Sequence, residues 1–125
     1  MIKVLETEAS LDVVDSENNL VGFSLEDGCC AIGGWIISEK QAIADYEQAE
    51  QKEFDLSTYI FDVAYKPEVG FSDNGDTRSV TFRMEDWSYP GEKKPALYLH
   101  LWNTHNGYYS KGFVSKFDEV VEGTL

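Results

Sequence analysis

The sequence predicts an α+β domain: a mainly antiparallel β-sheet or small sandwich of about seven strands, with one helix inserted near residues 39–51. Three observations carry this expectation. Most of the chain reads as short runs with alternating apolar residues, the period of a half-buried strand. A single stretch opens instead with Ser38 three residues before Gln41, the spacing of a helix capping box. At 125 residues, 42% apolar and 14% aromatic, the chain can bury one core, so residues 1–125 form one domain.

Leu11 to Asp15 and Leu20 to Leu25 alternate about the polar turn Ser16-Glu17-Asn18-Asn19, which makes a first hairpin. Cys29 to Ile37 is uncharged and reads as a central strand, with a bulge or close backbone approach at Gly33-Gly34. The helix follows, with Ala42, Tyr46 and Ala49 as a thin inward face and Glu47, Glu50 and Glu53 as an i, i+3 row. Thr58 to Tyr65 is apolar on both faces and reads as another central strand. After the turn signal Asp73-Asn74-Gly75-Asp76, Arg78 to Met84 places Val80, Phe82 and Met84 on one face. Leu97, Leu99 and Leu101 line one face of the next strand, and Tyr98, His100 and Trp102 the other. Asn103 to Gly107 turns the chain into a return strand from Tyr108 to Phe117, and the tail from Asp118 adds a short pairing.

Charge is the strongest functional signal. The chain holds 23 acids and 10 Lys or Arg, a net charge of −13. Residues 1–27 carry seven acids and one base, and residues 39–55 carry six acids and two bases. Clustered charge of one sign speeds encounter with the opposite sign and repels its own. A basic protein is the expected partner. Direct binding of nucleic acid or of a membrane surface is not expected, since both require clustered cations. The start Met1-Ile2-Lys3-Val4-Leu5-Glu6 lacks the basic and apolar regions of a secretory signal, and no apolar run is long enough to span a bilayer. A cytoplasmic location is expected. The two thiols, Cys29 and Cys30, are adjacent, too close for an unstrained disulfide, and suit a reducing compartment.

The motifs yield no catalytic signature. Cys29 and Cys30 with His100 and His105 suggest zinc, but adjacent strand residues point to opposite faces, so one ion cannot easily meet both thiolates. No metal or cofactor is expected. Beside Glu26 and Asp27 a thiol lacks the cationic neighbour that activates it. His100 and His105 are the only pair able to serve as acid and base in RNA cleavage, yet His100 sits mid-strand in an aromatic stripe, where a hydrogen-bonded structural role fits better.

Leu25-Glu26-Asp27-Gly28-Cys29-Cys30-Ala31 and the later Leu97-Tyr98-Leu99-His100-Leu101-Trp102-Asn103-Thr104-His105-Asn106-Gly107-Tyr108-Tyr109-Ser110 carry a resemblance. They are similar to a group of small bacterial and phage proteins in which a double-cysteine motif precedes a terminal Asn-Gly-Tyr-Tyr-Ser hairpin. The resemblance covers about a third of the chain. It implies no activity and no functional residues. In overall profile alone, the chain resembles immunity proteins of bacterial toxin systems.

The sequence therefore favours a non-enzymatic inhibitor of a basic, nuclease-type toxin domain. The expected contact residues are the acids Glu26, Asp27, Asp45, Glu47, Glu50, Glu53 and Asp55 and the aromatics Tyr98, Trp102 and Tyr108. One alternative is a phage or mobile-element mimic of nucleic acid that blocks a host defence. Another is a small hydrolytic or RNA-cleaving enzyme using His100 or His105.

Overall fold

The computed structural model describes residues 1–26, 32–72, 76–88, 93–104 and 110–125. Their ten strands are β1 (Lys3–Glu6), β2 (Ser10–Val14), β3 (Leu20–Ser24), β4 (Ile32–Ser38), β5 (Tyr59–Phe61), β6 (Val69–Phe71), β7 (Thr77–Asp86), β8 (Leu97–Thr104), β9 (Gly112–Lys116) and β10 (Val120–Thr124). All pairings are antiparallel. One sheet has the order β1-β2-β3-β9-β10. The other has the order β4-β8-β7-β5, with β6 beside β5 on the same edge of β7.

Alternation along the strands explains the two-layer packing. Leu11, Val13, Val21, Phe23 and Phe113 project from the first sheet onto Val80, Phe82, Met84, Leu97, Leu99 and Leu101 of the second. Phe82 meets the rings of Phe113 and Phe117 edge-on, which locks β9 over β7. Asp15 ties the layers together at one end. Its buried carboxylate accepts from the amides of Glu17 and Asn19 at 2.9 Å, from the Asn19 side chain at 3.0 Å and from the Phe61 amide of β5 at 3.0 Å.

The α+β expectation is corrected here: the fold is all-β, and no helix occurs among the described residues. Residues 39–58 form a non-helical strap that crosses from the end of β4 to β5. The capping box does not form. The Ser38 hydroxyl accepts the Lys40 amide at 3.0 Å, and Gln41 turns to the Tyr65 hydroxyl at 3.4 Å. A helix here would bury only Ala42, Tyr46 and Ala49 and would align the like charges of Glu47, Glu50 and Glu53. Draping instead lets Tyr46, Ile43 and Phe54 each reach the sheet or the core edge.

Two further expectations shift, and one of two alternatives is met. The strand before the strap is at the edge of its sheet, and β4 pairs without a bulge from Ile32 to Ser38. The close approach at its glycines is present: a Cβ at Gly33 would lie 2.6 Å from the Lys111 side chain, and one at Gly34 would lie 3.1 Å from the Trp102 indole. The expected central strand over 58–65 shortens to edge strand β5, because Asp62 and Ala64 turn the chain there. The Cys29-Cys30 pair, the Asp73-Asn74-Gly75 turn and the Asn106-Gly107 turn lie outside the described residues.

Candidate functional site

The outer face of the second sheet carries the aromatic stripe. Tyr98, His100 and Trp102 of β8 alternate away from the core and pair across with Ser38, Ile36 and Gly34 of β4 and with Arg83, Thr81 and Ser79 of β7. The strap covers this stripe. Tyr46 stacks on Trp102, with centroids 6.0 Å apart and ring planes 17° from parallel, and tilts onto His100 at 5.7 Å. Stacked aromatic contacts of this kind contribute about 0.5–1.5 kcal/mol beyond the area buried.

His100 is the polar centre of that contact. It has no exposed surface. The Lys40 carbonyl 2.9 Å from Nε2 can only accept, so Nε2 carries the proton. Nδ1 then accepts from the Thr81 hydroxyl at 2.9 Å, with the Tyr46 hydroxyl at 3.5 Å. Burial pushes the imidazole below its ordinary value, against a smaller upward pull from the bond to the Lys40 carbonyl. Both nitrogens are thus spent on holding the strap and the sheet. A second anchor lies at the β4 edge, where Gln51 imitates a paired strand. Its Oε1 accepts the Ile37 amide at 2.8 Å, and its Nε2 donates to the Ile37 carbonyl at 3.1 Å.

With its inner side fixed, the strap presents acids outward. Asp45 first shapes it, accepting the amides of Glu47 at 3.1 Å and Gln48 at 3.3 Å in an Asx turn. Between strap residues 41–47 and β6–β7 lies a groove of about 640 Å³. Asp45 and Glu47 form one wall, Glu68 and Asp76 stand on the other, and Thr77, Ser79 and Thr81 supply hydroxyls to the floor. Phe71 stands at its rim, 65% exposed, with the Arg78 guanidinium over its ring at 5.4 Å. Asp45, Glu47 and Glu68 have no ion-pair partner among the described residues. A cleft of about 570 Å³ on the β4 side of the strap is floored by Ile36, Ile37 and Phe54 and edged by Glu39 and Glu50.

The structure groups only some of the residues expected from sequence. Asp45 and Glu47 share the groove, Glu50 faces the neighbouring cleft, and Glu53 is exposed further along the strap. Asp55 is partly spent: the Ser57 hydroxyl and amide, then Lys94 at 3.7 Å, hold its carboxyl below the usual range. Glu26 lies at the end of β3 beside Asp12 and Glu122, on the outer face of the other sheet, and so is not brought to the strap. Tyr98 is half-buried, edge-on to Tyr65 at 6.2 Å. Trp102 is only 8% exposed beneath Tyr46 and offers little surface to a partner. Asp27, Tyr108 and His105 lie outside the described residues.

Glu68 and Phe71 carried no signal in the sequence, and Asp76 was read there only as a turn residue. Glu68 and Phe71 reach the groove at β6, a three-residue strand too short to show a period, and Asp76 stands just before β7. Trp87, 63% exposed with Lys93 over its ring at 6.0 Å, likewise carried no local signal. No group of three or more His, Cys, Asp or Glu among the described residues could hold a metal. No helix among them is long and apolar enough to cross a membrane. The acids are not confined to one face, since Asp12 and Glu122 sit on the first sheet, but there Lys3 and Lys116 flank them on the same face. Comparison with known proteins finds no matching family model, no matching curated protein and no matching solved structure.

Proposed function

We propose that this chain is an acidic binding protein that neutralises a basic partner, an immunity protein acting on a nuclease-type toxin domain. The observation that carries the reading is the groove between the strap and β6–β7, where Asp45, Glu47 and Glu68 stand without ion-pair partners among the described residues. Unpaired carboxylates facing one another across a groove repel, and a lysine- or arginine-bearing surface relieves that repulsion on docking. The exposed Phe71 ring at the rim supplies apolar contact beside the charge. The engagement of both His100 nitrogens supports this reading over a hydrolytic one, because a general acid or base needs a nitrogen within reach of substrate.

The test is capture of a cationic protein from the source lysate, identification by mass spectrometry, and association kinetics across a salt series. The expected result is an association rate that falls steeply with salt while dissociation changes little. Asp45→Asn with Glu47→Gln should slow association about tenfold at low salt. Association indifferent to salt and to both substitutions would defeat the proposal.

A further inference from the structure

From the backbone of the first sheet we infer that the free edge of β10 is a strand-docking site for an extended, lysine- or arginine-bearing segment of a partner protein. The inference extends the cationic-partner reading above to a second, separate surface. It starts from hydrogen-bond phase. Lys111 and Leu125 exchange both backbone bonds, at 2.9 and 2.8 Å. In an antiparallel ladder such pairs alternate, so Phe113–Gly123 and Ser115–Val121 are also bonded pairs. The amides and carbonyls of Val120, Glu122 and Thr124 therefore point away from β9, along the outer edge of the sheet. No backbone partner meets them among the described residues.

The other edges are short or already engaged at one point. On β1, the Ile2 amide donates to the Leu56 carbonyl at 3.0 Å, and the Glu6 carboxylate receives the Trp35 indole N–H. On β4, Gln51 satisfies Ile37. On the far side of the second sheet, β5 and β6 are three residues each, Asp15 takes the Phe61 amide, and Pro67 precedes β6. Natural edges are commonly blunted by lysine, proline, bulges or covering segments. Over its five residues β10 has no lysine, proline or bulge and no covering segment among the described residues; the charge of Glu122 is its only blunting device, and Val120 is 62% exposed.

Charge selects the occupant. Asp118, Glu119 and Glu122 are all exposed along this edge. A second copy is disfavoured. Antiparallel self-pairing centred on Glu122 sets it against its own counterpart, between chains that each carry −13. A strand alternating basic and apolar residues fits instead. Directly opposed residues share a face, so a lysine would sit beside Glu122 while the apolar neighbour meets Val121.

The experiment titrates the whole chain with a synthetic alternating Lys/Val peptide of about ten residues, and with a control of the same composition in two blocks. Amide exchange and chemical shifts are followed by NMR. The alternating peptide should slow exchange about tenfold at Val120, Glu122 and Thr124, leaving the already bonded Val121 and Gly123 little changed. Glu122→Pro removes one outward donor without touching the β9 ladder and should abolish the effect. Glu122→Lys, a purely surface change, should weaken binding at least as much if the proline variant misfolds. Perturbation confined to the Asp45 and Glu47 groove would overturn the edge site and leave the cationic-partner reading standing. Absence of binding at either place would overturn the edge site, while the cationic-partner reading stands or falls on its own salt series. Concentration-dependent self-association abolished by Glu122→Pro would show that a second copy, not a basic segment, takes this edge.

Discussion

If His100 pins the strap, removing its ring should cost stability in a way that can be worked from its contacts. His100→Ala deletes the bonds to the Lys40 carbonyl and the Thr81 hydroxyl, about 1 kcal/mol each. It also deletes a fully buried ring that packs against Tyr46 and Tyr98, and the cavity adds about 2 kcal/mol. The expected loss is about 4 kcal/mol. At about 2.1 cal/mol/K of unfolding entropy per residue, 125 residues carry about 0.26 kcal/mol/K, so Tm should fall by about 15 °C. Local release of the strap has its own signature. Tyr46 would lift from Trp102, and tryptophan emission would shift to the red below the melting transition. His100→Gln keeps a donor near the Nε2 position and should lose about half as much. Differential scanning calorimetry with fluorescence provides both readouts. A Tm within about 2 °C of the parent for His100→Ala, with unchanged emission, would refute the pinning role.

Other outcomes follow from the same contacts. The depressed His100 pKa means the unfolded chain binds a proton that the fold resists, so stability should fall as pH drops through the unfolded value of about 6.5 toward the folded one. The slope is at most about 1.4 kcal/mol per pH unit, and His100→Gln should flatten it in urea titrations. A second loss should begin below about pH 4, where Asp86 of the unfolded chain takes up a proton that the fold resists. The Thr58 hydroxyl, the Lys94 amide and Ser88 hold its carboxyl far below the usual range, so its contribution is present above the unfolded pKa and lost beneath it. Gly123→Ala would place a Cβ 2.5 Å from the Phe113 ring and should cost about 1–3 kcal/mol by chemical denaturation. Asp15→Asn sets an amide N–H₂ against backbone donors and should cost about 3 kcal/mol, while a change under about 0.5 would show that water replaces the carboxylate.

Much of the sandwich was legible residue by residue. The first hairpin falls at β2 and β3, and the apolar faces Val80-Phe82-Met84 and Leu97-Leu99-Leu101 became the central packing. Alternation is a local signal, and side chains that must be buried on one face of a sheet can satisfy it only as strands. The short edge strands β1, β5 and β6 were invisible or misplaced because three or four residues carry no measurable period. The strap was misread for a different reason. Ser38, Gln41 and the Ala42-Tyr46-Ala49 face describe a helix as far as local preference goes.

Local preference is worth tenths of a kcal/mol per residue, and covering the aromatic stripe of β8 with the strap offered more. Tyr46 on Trp102, His100 on Lys40 and Gln51 on Ile37 join residues fourteen to sixty positions apart, and no window of sequence holds both ends of such a contact. The sequence by itself determined the charge, the alternating core and the antiparallel pairing. Only the tertiary structure decided which carboxylates face one another, because Asp45 and Glu47 meet Glu68 and Asp76 through the strap's path across a sheet rather than through their spacing along the chain.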